Sequence, residues 1–388
     1  SELAQGKVQV ESLRKININD LLGREPTKAN IDLLQVKIKN KVVLVTGAGG
    51  SIGSELCRQI VLLKPKKLVL FEINEFSLYQ IDQELKNRQL DNIEIIPILG
   101  SIKVRERVES ICNFFQVETI YHAAAYKHVP LVEFNQSEGL LNNVIGTMML
   151  AQAAINTNVK TFVLISTDKA VRPTNTMGAT KRVAELILQS FSEMQHKTCF
   201  TMVRFGNVLN SSGSVIPLFK KQIEEGGPVT VTDKNIVRFF MTIPEAVELV
   251  IQAGAMGKGG DVFVLDMGQP VKIYDLATKM IRLSGLHVKD KDNPNGDIEI
   301  NLTGLRPGEK LYEELLVGKK SQKTLNPLIM RAEEKMLDWS QLSPVIDKLH
   351  QSALDFDHSK IRELLIEIVP EFKPQSSIDN NLFSKKSK

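Results

Sequence analysis

No stretch of the 388-residue chain reaches the roughly 18 uninterrupted apolar residues that a membrane helix needs. The N-terminus also lacks the charged-then-apolar pattern of a secretory leader. As given, the chain reads as soluble. An initiator methionine is missing too: the chain opens SELAQGKVQV on Ser1, which suggests a fragment of a longer protein. Charge of one sign is scarce. Lys and Arg number 49 and Asp and Glu 45, a balance of +4, and Lys385, Lys386 and Lys388 in the closing SKKSK carry three of those charges. The body is therefore near neutral and lacks the basic stripe that nucleic acid requires, although a local patch for a phosphate-bearing ligand is allowed. Cysteine is sparse: Cys57, Cys112 and Cys199 are odd in number, far apart and free of any CxxC pair or accompanying ligand cluster. That excludes a disulfide framework, predicts no metal site, and fits a reducing cytoplasm with all three as small buried apolar residues.

What is present is globular. With 43% hydrophobic and 24% charged residues, the chain has an ordinary soluble composition, and its length suits one large α/β unit with a second lobe. Residues 1–40 are polar and mixed, a linker or docking segment. From 41 onward, KVVLVT, LVLFE, IEIIPIL, TIYHAAA and TFVLIS are apolar runs separated by helix-length segments such as EFSLYQIDQELKNR and KVRERVESICNFF. Strands that are apolar throughout and alternate with helices predict a doubly wound parallel sheet over 41–206. After about 206, proline and glycine punctuate NSSGSVIPLF, EEGGPVTV and AMGKGGDVFVLDMGQP, which predicts a smaller mixed substrate lobe over 207–320. Residues 321–388 carry no motif; a helix is expected near 358–368, and the last dozen residues read as frayed.

T-G-A-G-G-S-I-G sets Gly47, Gly50 and Gly53 between the first strand and a helix. These positions suit a tight turn, close approach of backbone to a pyrophosphate, and close helix packing, with the diphosphate over Ser51 and Ile52 at the helix N-terminus. Glycines alone would fit any strand–helix turn. The second strand, however, ends in Glu72, whose carboxylate is placed to accept from both adenosine ribose hydroxyls and to repel a 2′-phosphate. NAD rather than NADP is the expected cofactor.

The fifth strand runs into Thr167-Asp168-Lys169, and Met177-Gly-Ala-Thr-Lys181 opens the next helix. Strand ends in such a sheet face the crevice, and a step of four puts Met177 and Lys181 on one helix face. Taken alone, TDK would be an ordinary strand-end turn with Asp168 as a cap.

The glycine turn, HAAA, the Thr after strand five and the lysine helix together resemble the extended short-chain dehydrogenase/reductase superfamily. Within it, VTGAGGSIGSEL, HAAAYKHVPLVE, STDKAVRPTNTMGATKR, RFGNVLNSSGSVIPLF and TGLRPGEKLYEEL look like the polysaccharide-biosynthesis nucleotide-sugar 4,6-dehydratases. The likeness runs over about 41–318 and is strongest to the large, membrane-anchored UDP-N-acetylglucosamine enzymes that retain configuration at C5. The superfamily tyrosine four residues before the lysine is here Met177. A thioether exchanges no proton near neutral pH, so Met177 shapes the pocket and the proton work moves elsewhere; methionine is typical of the resembled subfamily.

The resemblance implies oxidation of the sugar at C4, loss of water across C5 and C6, and reduction at C6. Asp168 is assigned as acid for the C6 hydroxyl and Lys169 as base at C5, with Lys169 kept neutral by desolvation or by cationic Lys181. Thr167 is expected to hold the C4 oxygen and Lys181 the nicotinamide ribose; the acceptor of the C4 hydroxyl proton is open between Asp168 and a relayed water. Further cofactor contacts are expected at Asn74, Ser101 and Ile102 beside adenine, Ala123 and Ala124 along the channel floor, Tyr126, and Asn143, which would support Thr167 or the cofactor. Lys127 is a candidate for cofactor or substrate, whereas His122 and His128 read as structural. Asn207, Arg238 and Arg306 are expected on the substrate diphosphate, and Val215, Ile216 and Pro217 along the uracil slot.

A UDP-sugar is the expected partner. A C5-inverting dehydratase, a C4 epimerase and a catalytically silent NAD-binding scaffold are the rivals. Pairing of helices beside the active site would give a homodimer. Because the resembled enzymes carry membrane helices upstream, the parent is expected to be anchored at the cytoplasmic face of a bacterial inner membrane.

Overall fold

The computed structural model describes residues 30–88, 93–314 and 321–377. Most of the expected N-terminal linker, the closing SKKSK and nearly all of the expected frayed tail lie outside them. The main sheet is built from β1 (Val42–Thr46), β2 (Lys67–Glu72), β3 (Glu94–Leu99), β4 (Thr119–His122), β5 (Thr161–Ile165), β6 (Cys199–Arg204), β7 (Asp261–Leu265), β8 (Ser321–Lys323) and β9 (Ile329–Ala332). Their order is β8-β9-β7-β6-β5-β4-β1-β2-β3. Pairing from β3 through to β7 is parallel, and β9 runs antiparallel to both neighbours. Every residue of β1 is buried, because hydrophobic cores lie on both faces of the sheet; Val42 and Leu44 face one and Val43 and Val45 the other. This is the doubly wound α/β fold, and its strand order reverses between β1 and β4, where the crevice opens.

Helices α1 (Ser51–Leu62), α2 (Glu75–Lys86), α3 (Arg105–Phe115) and α4 (Thr147–Asn156) alternate with the strands. A π-helical turn at Leu141–Gly146 runs into α4, and α5 (Thr176–Met194) begins at Asn175, whose side chain accepts from Gly178 N at 2.8 Å. Beyond residue 206 lie α6 (Val215–Glu224) and α8 (Ile273–Leu283), which pack with a small sheet of Val229–Val231, Val288–Lys289 and Ile298–Leu302 around a third core. Between them α7 (Ile243–Met256) and β7 return to the main unit.

Residues 321–372 are integral rather than appended. They supply β8 and β9, then α9 (Trp339–Leu354) and α10 (His358–Ile368), which pack onto α5. Thr176 through Ser192 are all buried as a result. The route expected for a homodimer, through helices beside the active site, is thus occupied at α5 by the chain's own C-terminal helices. Among the described residues no helix is long and apolar enough to cross a membrane.

Candidate active site

The glycine turn is fixed by close contacts. Gly47 has φ +65°, and a β-carbon there would lie 2.7 Å from Ala124 N; one on Gly53 would lie 1.9 Å from Gly47 O. Gly50 caps α1 with no side-chain hydrogen bond, so the first amides of the helix are left for an anionic ligand. Ser51 Oγ accepts from Ser212 N at 3.1 Å, which ties the turn to the 211–214 loop of the second lobe.

Glu72 is buried and held by backbone. Its Oε1 accepts from Ile73 N at 2.9 Å and Asn74 N at 3.0 Å, and its Oε2 accepts from Gly49 N at 2.9 Å. Three of the carboxylate's four lone-pair sites are filled, so of the two ribose hydroxyls expected here one is accommodated, at Oε2. Asn74 spends its Oδ1 capping α2 through Ser77 N. Ile102, expected beside adenine, is instead packed in the core against Gly146; Ser101 keeps a half-buried edge position. Asn143, within the π-helical turn, bonds Tyr126 N and O (both 2.9 Å) and Thr180 Oγ1 (3.1 Å). It therefore braces the channel loop and α5 and makes no bond to Thr167.

The central triad is joined by hydrogen bonds. Thr167 Oγ1 donates to Asp168 Oδ1 at 2.9 Å, and Lys169 Nζ donates to Asp168 Oδ1 at 3.0 Å and Asn207 Oδ1 at 3.1 Å. Thr167, Lys169 and Asn207 line the cleft; Asp168, 1% exposed, sits beneath them. Asp168 therefore addresses the cleft through the hydroxyl and the ammonium bound to its Oδ1. Its Oδ2 has no partner and lies where a side chain at Gly206 would intrude, 3.2 Å from that β-carbon position.

The expectation of a neutral Lys169 is overturned in this state. Burial pushes the amine toward neutrality, but Asp168 and Glu313 outweigh burial and hold it as an ammonium above the usual lysine range. Lys181 is not among the groups acting on it; the nearby cation is Arg238. Burial instead lowers Lys181 itself to about 8, against the opposing pull of Glu185. Lys181 lines the cleft with Met177, which is 3% exposed. Lys127 lines it as well, and burial with the Lys169 charge lowers its amine.

On the substrate side, Arg238 Nη1 donates to Val237 O at 2.7 Å and Nη2 to Glu309 Oε1 at 3.1 Å, so both arms of the expected diphosphate ligand have protein partners. Arg306 lies exposed at the cleft edge. Val215 faces the cleft, one turn from Leu218; Ile216, expected there too, turns into the lobe core, and Pro217 is exposed outside the lining because the helical period rotates it away. His122 is fully enclosed between Thr46 Oγ1 (2.7 Å) and Thr147 Oγ1 (2.9 Å), and His128 packs under Gly213.

Two sets of residues escape sequence reading. Arg204, Glu185, Arg182 and Glu334 form a buried ionic network beneath β5 and α5. Burial would raise Glu185, but Arg204 and Arg182 bring it down to about 2. The second set is Glu309 and Glu313, spaced four apart in GEKLYEE; that spacing in a segment already yielding Arg306 was the available signal. Among the described residues no group of His, Cys, Asp or Glu is placed to hold a metal ion.

The profile of the family described as polysaccharide biosynthesis protein matches residues 43–334. The chain belongs to that family. It is 52% identical over 315 residues to the capsular polysaccharide biosynthesis protein CapD of Staphylococcus aureus, covering 81% of this chain and 51% of CapD. It is 47% identical over 351 residues to the probable polysaccharide biosynthesis protein EpsC of Bacillus subtilis strain 168, covering 90% and 57%. The chain thus spans about half the length of these curated relatives. Among solved structures, Pen from Bacillus thuringiensis superposes with a TM-score of 0.68 at 34% identity, covering 80% of this chain and 98% of Pen. The fold is also that of the dTDP-glucose 4,6-dehydratase DesIV from Streptomyces venezuelae, solved with NAD bound (TM-score 0.60, 20% identity, 71% and 88% covered). The family's fold neighbours are nucleotide-sugar dehydratases and epimerases with the short-chain dehydrogenase/reductase architecture. NAD is the cofactor of that architecture in those complexes. Here its cradle is in place: uncapped α1 amides, an anchored Glu72, and the Lys181 ammonium lining the cleft.

Proposed function

We propose that this chain catalyses NAD-dependent 4,6-dehydration of UDP-N-acetylglucosamine, with retention at C5, to a 4-keto-6-deoxy sugar nucleotide for bacterial glycan assembly. The observation that carries the reading is the Thr167–Asp168–Lys169 hydrogen-bonded chain beside a dinucleotide cradle, in a site whose tyrosine position holds Met177. An epimerase needs only a hydride step and has no use for an acid–base pair at C5 and C6.

NAD, when bound, takes a hydride from C4 and later returns it at C6. The protein's own groups move the protons. Thr167 takes the C4 hydroxyl proton and passes it to Asp168 Oδ1, 2.9 Å away, which supplies the acceptor that the missing tyrosine would have been. O4 and O6 sit on carbons two bonds apart, so the same hydroxyl serves both in turn, returning the proton from Asp168 to the departing C6 oxygen. Lys169, as the free amine, takes the C5 proton that the 4-ketone has acidified, and gives it back on the same face. Lys181 stabilises charge at the nicotinamide ribose, and Asn207 orients Lys169 at 3.1 Å.

Incubation of the purified chain with NAD and UDP-N-acetylglucosamine, followed by mass spectrometry, tests this. A product lighter by one water supports it, and NMR of the C5 centre reports retention. An unchanged mass with the sugar nucleotide bound sinks the enzyme reading in favour of a silent scaffold, and an isomer of unchanged mass favours epimerisation.

A further inference from the structure

An ammonium cannot accept a proton, yet Lys169 is held as one. Its usual outlet, the Asp168 carboxylate, receives the C4 hydroxyl proton in the reading above and is not free to take a second. Some other group must relieve Lys169 before it can act at C5.

Glu313 meets the requirement. Its Oε1 lies 3.9 Å from Lys169 Nζ and 4.0 Å from Arg238 Nε. Its Oε2 is buried with no hydrogen-bond partner, although the residue lines the cleft and its side chain is only 4% exposed. An orphaned carboxylate oxygen at that depth is costly unless the group has a task. The segment bearing it is docked onto the loop before α5: Gly308 O accepts from Thr174 Oγ1 and Asn175 Nδ2, both at 3.1 Å, and Lys310 Nζ donates to Val171 O at 3.0 Å. Such anchoring delivers Glu313 to Lys169 from across the cleft.

We infer that Glu313 is the proton store for Lys169. It acts through that amine and need not touch the sugar. The inference rests on the dehydration reading and completes its balance. After C4 oxidation, one Lys169 N–H proton moves to Glu313, leaving amine and carboxylic acid; a small side-chain turn or one bridging water closes the gap. The amine takes the C5 proton as Asp168 protonates the leaving oxygen and water departs. Lys169 returns the proton to C5 when C6 is reduced, then recovers its own from Glu313, so no net proton is consumed. Burial and the nearby Asp168 charge raise the Glu313 carboxyl, which eases that transfer, although Lys169 and Arg238 oppose the shift.

The test compares wild type, Glu313→Asp and Glu313→Gln, each with NAD bound, turning over UDP-N-acetylglucosamine in deuterated water. Two readouts are followed: C4 oxidation by the absorbance of the reduced cofactor, and deuterium entry at C5 by mass spectrometry. The inference expects Glu313→Gln to oxidise C4 within a few-fold of wild type while C5 exchange falls about 10²-fold or more, with Glu313→Asp between. Wild-type exchange in Glu313→Gln overturns it, as does an equal loss in both steps, which would mark a merely structural role. If Glu313→Gln does not fold, Glu313→Asp decides by the same split: slowed exchange with intact oxidation supports the store, and any other pattern overturns it. A wild type that neither oxidises nor dehydrates the sugar defeats the functional reading itself, and is recognised because the failure does not depend on Glu313.

Discussion

The cofactor half and the catalytic half of the cleft each bury a glutamate to 8% exposure, and they treat it in opposite ways. Glu72 is saturated with three backbone amides from its own strand end and the neighbouring turn. Glu313 has an empty oxygen, a lysine at 3.9 Å and an arginine at 4.0 Å, all reached from distant parts of the chain. A saturated carboxylate is a fixed fixture, good for recognising a constant ligand. An unsaturated one is free to change its proton count, which is what acid–base chemistry requires. The cleft therefore divides into a rigid half that binds and a half with spare valence that reacts.

Removing the charge on the reacting side gives the largest expected effect. Asp168→Asn keeps the side-chain shape but cannot carry a proton between Thr167 and the sugar, so turnover should fall by about 10²–10⁴-fold. Cofactor affinity and thermal melting should stay near wild type, because Glu72 and the glycine turn are remote from the change. Single-turnover kinetics beside a calorimetric NAD titration check this; a matching loss of NAD affinity would erase the division.

On the rigid side the damage should be to structure. A methyl group at Gly53 would lie 1.9 Å from Gly47 O, so Gly53→Ala must displace the turn at a cost of about 1–3 kcal/mol. A lower melting temperature with lost cofactor binding is the expected result, read by thermal denaturation with and without NAD. A smaller effect is expected from Glu72→Gln: the amide's NH₂ group would face a backbone donor and the charge that repels a 2′-phosphate would go. NAD should bind about tenfold more weakly, roughly 1.4 kcal/mol, with a reduced preference over NADP. Unchanged selectivity would remove Glu72 from the discriminating role.

The same division governs what could be read from the amino-acid sequence. Gly47, Gly50, Gly53 and Glu72 work through local backbone geometry, so spacing alone predicts their placement. Even there the count of free lone pairs on Glu72 was out of reach, because it depends on which amides turn toward the carboxylate. Thr167, Asp168 and Lys169 were legible as neighbours in sequence, but the charge on Lys169 was not, since Glu313 joins them only through the docking of the 308–310 turn. Ile216 and Pro217 were misplaced because the helical phase of α6 had to be seen before inside and outside could be told apart. The C-terminal helices carry no chemistry-bearing motif, and their role as a cover for α5 follows from apolar faces that any neighbour could have buried.

A moderate pH effect should sharpen the boundary between the halves at Lys181. Burial lowers its amine to about 8, so the positive charge beside the nicotinamide ribose is lost as pH rises through that value. Sugar oxidation should slow several-fold on that limb, and Lys181→Met should be slow and flat across it. Stability should move the other way: between pH 8 and the ordinary lysine value near ~10.4 the unfolded chain binds the extra proton, so the folded state gains as pH rises. A pH profile of single-turnover oxidation, paired with denaturant melts at each pH, separates the two.

The smallest effect is expected at the residue that departs most from the superfamily pattern. Met177 lines the cleft at 3% exposure and packs at the first turn of α5, where Thr180 Oγ1 donates to its carbonyl at 2.7 Å. A thioether offers bulk and polarisability and no exchangeable proton, so Leu, of similar volume, should replace it for under about 1.5 kcal/mol of stability and within a few-fold of wild-type turnover. Met177→Tyr is the sharper companion. If Thr167 and Asp168 already carry the C4 proton, a phenol at this position adds no useful acceptor and crowds the cleft, so it should slow oxidation rather than quicken it. Faster oxidation by Met177→Tyr in single-turnover kinetics would mean that the Thr167–Asp168 relay is not the route for that proton, and that the reacting half of the cleft has been drawn in the wrong place.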